Sequence, residues 1–135
     1  MAFVYRRRVQ FAETDLAGLV HFTCFFRYME EAEHALWRAA GMSIARAGEI
    51  TGWPRLAANC DFKAPLRFED EFEVAVRVAN VRARTIQYEF TLTKAETVVA
   101  VGTITTAYVS RPPEGPLKAL DLPGDVVARL RAAAE

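Results

Sequence analysis

The chain is poor in the residues from which several familiar sites are built. Its two cysteines, Cys24 and Cys60, are too few for a disulfide framework, and neither has a second cysteine at zinc-ligand spacing. Reduced thiols in a cytoplasmic protein are the expectation. Two serines and two histidines leave little for a hydrolase triad, and GxSxG, HExxH, CxxC and a glycine-rich phosphate loop are all missing. No apolar run approaches the roughly 18 residues of a membrane span, and Arg6, Arg7 and Arg8 are not followed by one, so neither membrane insertion nor a signal peptide is expected. Seventeen basic residues balance seventeen acidic ones, which leaves no overall field to attract nucleic acid.

What is present is a chain of 135 residues, 52% of them hydrophobic, long enough to bury a core as one domain over residues 1–135. The stretch Phe11–Gly41 organises it. From Thr23 to Ala40, Phe25, Phe26, Met29, Ala32, Leu36, Trp37, Ala39 and Ala40 recur at three- and four-residue spacings, the pattern of a helix with one buried face. Thr23 is the expected N-cap and Gly41 the expected C-cap. Eighteen residues make roughly 27 Å of helix, enough to lie along a whole sheet.

Strands surround that helix. Residues 3–11 alternate, with Phe3, Tyr5, Arg7, Val9 and Phe11 on one side, and the three arginines are read as a solvated strand face. Residues 55–66 carry a weaker pattern that Pro65 ends or bends. Residues 71–81 and 85–94 alternate well, 97–109 is rich in Val, Thr and Tyr as strands are, and the short polar connections between them predict an antiparallel meander. Ser43–Glu49 is expected to form a short helix or turn, and Pro123–Glu135 a C-terminal helix through Val126, Val127 and Leu130. Strand, long helix, four strands: the order predicts an α+β domain whose antiparallel sheet of about five strands wraps one helix. One helix covers one sheet face only, so an oligomer, at its simplest a two-fold dimer, is expected.

With the common sites excluded, the acidic turn Glu13-Thr14-Asp15 ahead of the helix draws attention. A helix start offers unpaired N–H groups and a positive dipole end. An acyl carbonyl placed there would have its developing oxyanion held by the Phe22 or Thr23 amide, while Asp15 activates water or attacks the carbonyl. Gly18 would let the loop pass close to the substrate. The competing reading of Asp15 is a turn residue bonded to nearby amides. His21 either orients substrate or packs at the helix start, and Cys24 is read as a buried, inert thiol rather than a nucleophile. Glu30, Glu31 and Glu33 are read as a solvated face. Arg82 and Arg84, in a turn, either meet phosphates bidentately or are simply exposed.

The stretch FAETDLAGLVHFTCFFRYMEEAEHAL resembles the N-terminal motif of hotdog-fold acyl-CoA thioesterases of the 4-hydroxybenzoyl-CoA thioesterase family, DTDxxGxVxHxxYxxYxExAR. The resemblance continues at Asp61-Phe62-Lys63-Ala64-Pro65 and Phe68-Glu69-Asp70. It implies a hotdog fold and hydrolysis of acyl-CoA or acyl-carrier-protein thioesters without metal or cofactor. By position, Asp15 falls on the catalytic aspartate and Phe22 on the amide that polarises the thioester. Gly18, His21, Thr23, Arg82 and Arg84 become candidate substrate contacts, Glu30 or Glu31 becomes a reserve base because some hotdog enzymes use a helical glutamate, and a homodimer or homotetramer with sites at subunit interfaces is implied. Glu13 stands where the motif has its first aspartate, and Phe22 where many members have His or Tyr. That second departure keeps a non-catalytic acyl-thioester binding module as the alternative.

Overall fold

In the computed structural model, residues 2–45 and 48–135 are described. Five antiparallel strands form one sheet: β1 (Phe3–Arg8), β3 (Arg55–Phe62), β4 (Glu71–Val81), β5 (Thr85–Lys94) and β6 (Thr97–Ala107), in spatial order β1-β4-β5-β6-β3. The hairpins β4–β5 and β5–β6 are the meander that the alternation predicts. Phe72, Val74 and Val76 on β4 and Ile86, Tyr88, Phe90 and Leu92 on β5 all face inward and are buried.

Helix α1 (Cys24–Ala39) lies against that face. It touches β1 and β3, the two edges of the sheet, as well as the more central β4, so the sheet curls around it in the hotdog arrangement. Met29, Ala32 and Leu36 are fully buried on its inner face, joined by Tyr28. Gly102 on β6 makes the close approach possible, because a Cβ there would stand 2.7 Å from Met29 Sδ. Ala39, expected on the buried face, is exposed. The helix ends as predicted at Gly41, where φ is +80°; the Gly41 and Met42 amides donate back to the Arg38 and Trp37 carbonyls in a Schellman arrangement. Its start differs from expectation. Thr23 makes no side-chain cap, because its hydroxyl is committed to His21.

Three short strands not evident in the sequence, β2 (Thr51–Gly52), β7 (Val109–Ser110) and β8 (Lys118–Ala119), make a second small sheet past the end of β6. Two-residue strands carry no readable alternation. The centre of the turn expected at Ser43–Glu49 lies outside the described residues. Helix α2 (Gly124–Ala134) contacts α1 and β4 and inserts Leu130 into the core. Among the described residues no helix is long and apolar enough to cross a membrane.

Candidate active site

The chain leaves β1 at Val9, which is pinned to the 69–70 turn by reciprocal backbone bonds (Val9 N–H to Asp70 O, 2.9 Å; Glu69 N–H to Val9 O, 3.1 Å). A single 3-10 turn, Phe11–Glu13, then delivers a tight loop closed by the Asp15 N–H donating to Leu19 O at 2.8 Å and the Gly18 N–H to Asp15 O at 2.9 Å. Gly18 has φ +80°, which is why glycine stands there. The loop is stitched to the segment after β3 through the Val20 N–H and Leu66 O, 2.8 Å apart.

Asp15 is exposed at this loop. Its Oδ1 accepts from the Ala17 amide at 2.8 Å and the Leu19 amide at 3.2 Å, so the turn-forming reading is realised. Among the described residues Oδ2 has no protein partner. One oxygen thus orients the carboxylate and the other is left uncommitted, so the two readings of Asp15 are compatible.

The start of α1 can be accounted for amide by amide. Cys24 N–H donates to His21 O at 2.9 Å, Phe25 N–H to Phe22 O at 3.3 Å, and Thr23 N–H to His21 Nδ1 at 3.3 Å. A backbone amide can only donate, which assigns Nδ1 as acceptor and puts the ring proton on Nε2. Of the two amides proposed as oxyanion donors, Thr23 is therefore occupied. Phe22 N–H has no acceptor among the described residues, and it sits where the helix dipole is positive.

Asp15, His21 and Phe22 line one groove of about 410 Å³, together with Phe25, Phe62, Pro65 and Leu66. Phe25 and Phe62 meet edge to face with centroids 5.1 Å apart, and His21 stacks obliquely on Phe22 at 4.7 Å. His21 is exposed at the helix start, with its ring against Phe22. Gly18 and Thr23 shape the loop and the helix start rather than lining the groove. Arg82 and Arg84 are not brought to it within one chain. Phe62 shares a row of the sheet with Ala100 and Leu92, whereas the arginines lie at the opposite end of the β4–β5 hairpin, about 26 Å along the strand from that row. There Arg84 pairs with Asp121.

Cys24 is buried, with its Sγ 3.7 Å from Glu13 O, and burial foremost pushes its thiol pKa up, as an inert thiol requires. The solvated reading of the helical glutamates holds for exposed Glu30 and fails for Glu33. Glu33 is fully buried and paired with Arg55, because helical spacing puts it on the side facing β3. Burial holds its carboxyl above the usual range despite the arginine. Glu31 binds Arg7 and Tyr5, and Glu30 binds Arg55, so neither reserve base lines the groove.

The three arginines of β1 also divide. Arg6 and Arg8 are solvated and paired with Glu73 and Glu71, while Arg7 turns inward to Glu13. The signal was in the alternation, which places Arg7 on the side of Phe3, Tyr5 and Val9; the cost of burying charge argued against it until a partner was visible.

Residues 9–130 match the family model of the thioesterase-like superfamily. A relative from Aquifex aeolicus is 37% identical over 101 residues, 74% of this chain and 79% of its own. A 1,4-dihydroxy-2-naphthoyl-CoA hydrolase from Synechocystis is 26% identical over 109 residues, 79% of each chain. Among solved structures, a hypothetical protein from Aquifex aeolicus superposes with a TM-score of 0.87 at 32% identity, covering 95% of this chain and 98% of that one. A gentisyl-coenzyme A thioesterase superposes at 0.85 with 26% identity, covering 94% and 98%. Sheet order, the helix inside it and the match over nearly the whole length agree: the chain belongs to the thioesterase-like superfamily of hotdog hydrolases.

Proposed function

We propose that the protein hydrolyses an aromatic acyl-CoA thioester in the groove between Asp15 and Phe62. The observation that carries this is the pairing of an uncommitted carboxylate oxygen, Asp15 Oδ2, with an uncommitted amide, Phe22 N–H, at one groove. The thioester carbonyl oxygen accepts from Phe22 N–H, and Asp15 either takes a proton from an attacking water or adds to the carbonyl itself. Either route develops negative charge on the carbonyl oxygen, where one preorganised donor is typically worth about 10²- to 10³-fold. Collapse of the tetrahedral species breaks the C–S bond and expels the CoA thiolate, which takes up a proton; on the water route this gives the free acid directly, and on the nucleophile route it gives a mixed anhydride with Asp15 that water then hydrolyses to the free acid and the Asp15 carboxylate.

The ring faces of Phe22, Phe25 and Phe62 suit a flat acyl group, and two relatives are named for aromatic acyl-CoA substrates. His21 would orient the acyl group through Nε2–H. Arg82 and Arg84 would serve CoA phosphates only in the groove of a second copy. Such a copy is proposed because β3 is a sheet edge, exposed over most of its length, that presents Leu56 and Phe62 to solvent. A light-scattering mass of two or four times 15.1 kDa is expected, and a mass of 15.1 kDa would remove this part of the reading. Unpaired Cys24 and Cys60 suit a reducing compartment such as the cytoplasm.

The test is thiol release from aromatic, medium-chain and long-chain acyl-CoAs. Turnover highest with aromatic groups is the expected result. Tight binding with no release from any of them would instead indicate a non-catalytic acyl-thioester binding module.

A further inference from the structure

Half-buried Arg7 and buried Glu13 form an ion pair that the chemistry above does not use. Every guanidinium N–H of Arg7 finds an acceptor: Nε reaches Glu31 Oε1 at 2.9 Å; Nη1 reaches Arg8 O at 2.6 Å and Glu13 Oε1 at 2.9 Å; Nη2 reaches Glu13 Oε2 at 2.5 Å and Glu31 Oε2 at 3.2 Å. The guanidinium also lies 5.0 Å from the ring centroid of Tyr28. Glu13 is equally committed. Its Oε1 accepts from the Gln10 amide and the Tyr28 hydroxyl, both at 2.8 Å, and its main-chain oxygen accepts the His21 N–H at 2.8 Å. Burial opposes ionisation of Glu13, but Arg7, the Gln10 amide and Tyr28 outweigh it and hold the carboxyl below the usual range.

Position in the chain gives this cluster its meaning. Glu13 is two residues before Asp15, and the His21 amide it anchors adjoins Phe22. One residue therefore ties the loop bearing the carboxylate to the backbone bearing the oxyanion donor, and ties both to β1 through Arg7 and to α1 through Tyr28.

We propose that Arg7 and Glu13 are a positioning pair that sets the separation between the Asp15 carboxylate and the Phe22 amide. The inference rests on the roles given to those two groups above. A lysine at position 7 keeps the charge but carries three donors on one nitrogen, so it cannot span Glu13, Glu31 and Arg8 O together. Arg7→Lys and Glu13→Gln should each lower kcat toward the 10²-fold or so that a misplacement of about 1 Å costs, with KM little changed.

The experiment measures kcat and KM on the best acyl-CoA, well below each melting temperature, for wild type, Arg7→Lys, Glu13→Gln, Tyr28→Phe, Leu36→Ala and Asp15→Asn. Leu36→Ala destabilises the same helix by core cavitation and should leave kcat near wild type. Wild-type kcat in both Arg7→Lys and Glu13→Gln, or an equal loss in Leu36→Ala, overturns the proposal. If the two ion-pair variants do not fold, Tyr28→Phe decides, since it deletes one hydroxyl donor to Glu13. A lowered kcat at constant KM supports the pair, and an unchanged kcat overturns it. Full activity in Asp15→Asn overturns the underlying reading instead, whatever the other variants do.

Discussion

Gly102→Ala puts the packing of α1 on the sheet to the test. Gly102 sits in β6 between Cys60 of β3 and Phe90 of β5, beneath Met29. An added Cβ would stand 2.6 Å from Asn59 O and 2.7 Å from Met29 Sδ, each about 1 Å inside an ordinary contact. The Met29 side chain can rotate away, but Asn59 O is backbone, and relieving that contact means shifting β3 against β6. Overpacking of this kind costs about 1–3 kcal/mol, and the backbone contact argues for the upper end. A Gly-to-Ala change returns up to about 1 kcal/mol through the unfolded chain, leaving roughly 2 kcal/mol. At about 2.1 cal/mol/K per residue, this is a fall in Tm of roughly 7 °C for a chain of this length. Calorimetry and urea unfolding measure it. Met29→Ala alone should cost about 2–5 kcal/mol, and the double variant less than the sum, because the new methyl group enters the space the thioether leaves. A Gly102→Ala protein melting with wild type, or strict additivity in the cycle, would refute this account of the helix–sheet contact.

Three further outcomes follow from the site. Cys24→Ala should keep wild-type kcat, as steady-state assay will show, because its thiol is buried and not a nucleophile; loss of activity in a folded variant contradicts that. Phe22→Ala keeps the backbone amide and should mainly raise KM, whereas Phe22→Pro removes the amide and should lower kcat by about 10²- to 10³-fold; equal kcat in the two variants would exclude the amide as donor. Glu13, with its pKa depressed in the fold, contributes stability that is present above its unfolded value of roughly 4.3 and lost as pH falls through the lower folded value. Thermal melts should therefore show the gap between wild type and Glu13→Gln widest near neutral pH and shrinking in acid, and a gap that grows in acid reverses the sign.

The central helix and the meander were legible because their patterns are long and set by burial alone: Ile86, Tyr88, Phe90 and Leu92 could face only one way, and all four are buried. The Asp15 loop was legible from its glycine and its place before the helix. Charge defeated the reading where partners are distant in sequence. Arg7 and Glu31 are 24 residues apart, and Arg55 and Glu33 are 22 apart. A glutamate on a helix looks solvated until the strand that brings its arginine is placed. The same limit hid Phe62, Pro65 and Leu66 as the far wall of the groove, since the tertiary ties from Val20 to Leu66 and from Phe25 to Phe62 are what show which loop they face.

Asp15→Asn is the most direct test of the account. Asparagine keeps an oxygen to accept the Ala17 and Leu19 amides, so the loop and the melting temperature should be preserved, while the basic oxygen Oδ2 becomes an amide nitrogen. Thiol release from the best acyl-CoA should then fall by at least the 10²-fold or so that a lost general base costs, with substrate still bound. Wild-type turnover in a folded Asp15→Asn protein would contradict the assignment of this carboxylate to the chemistry.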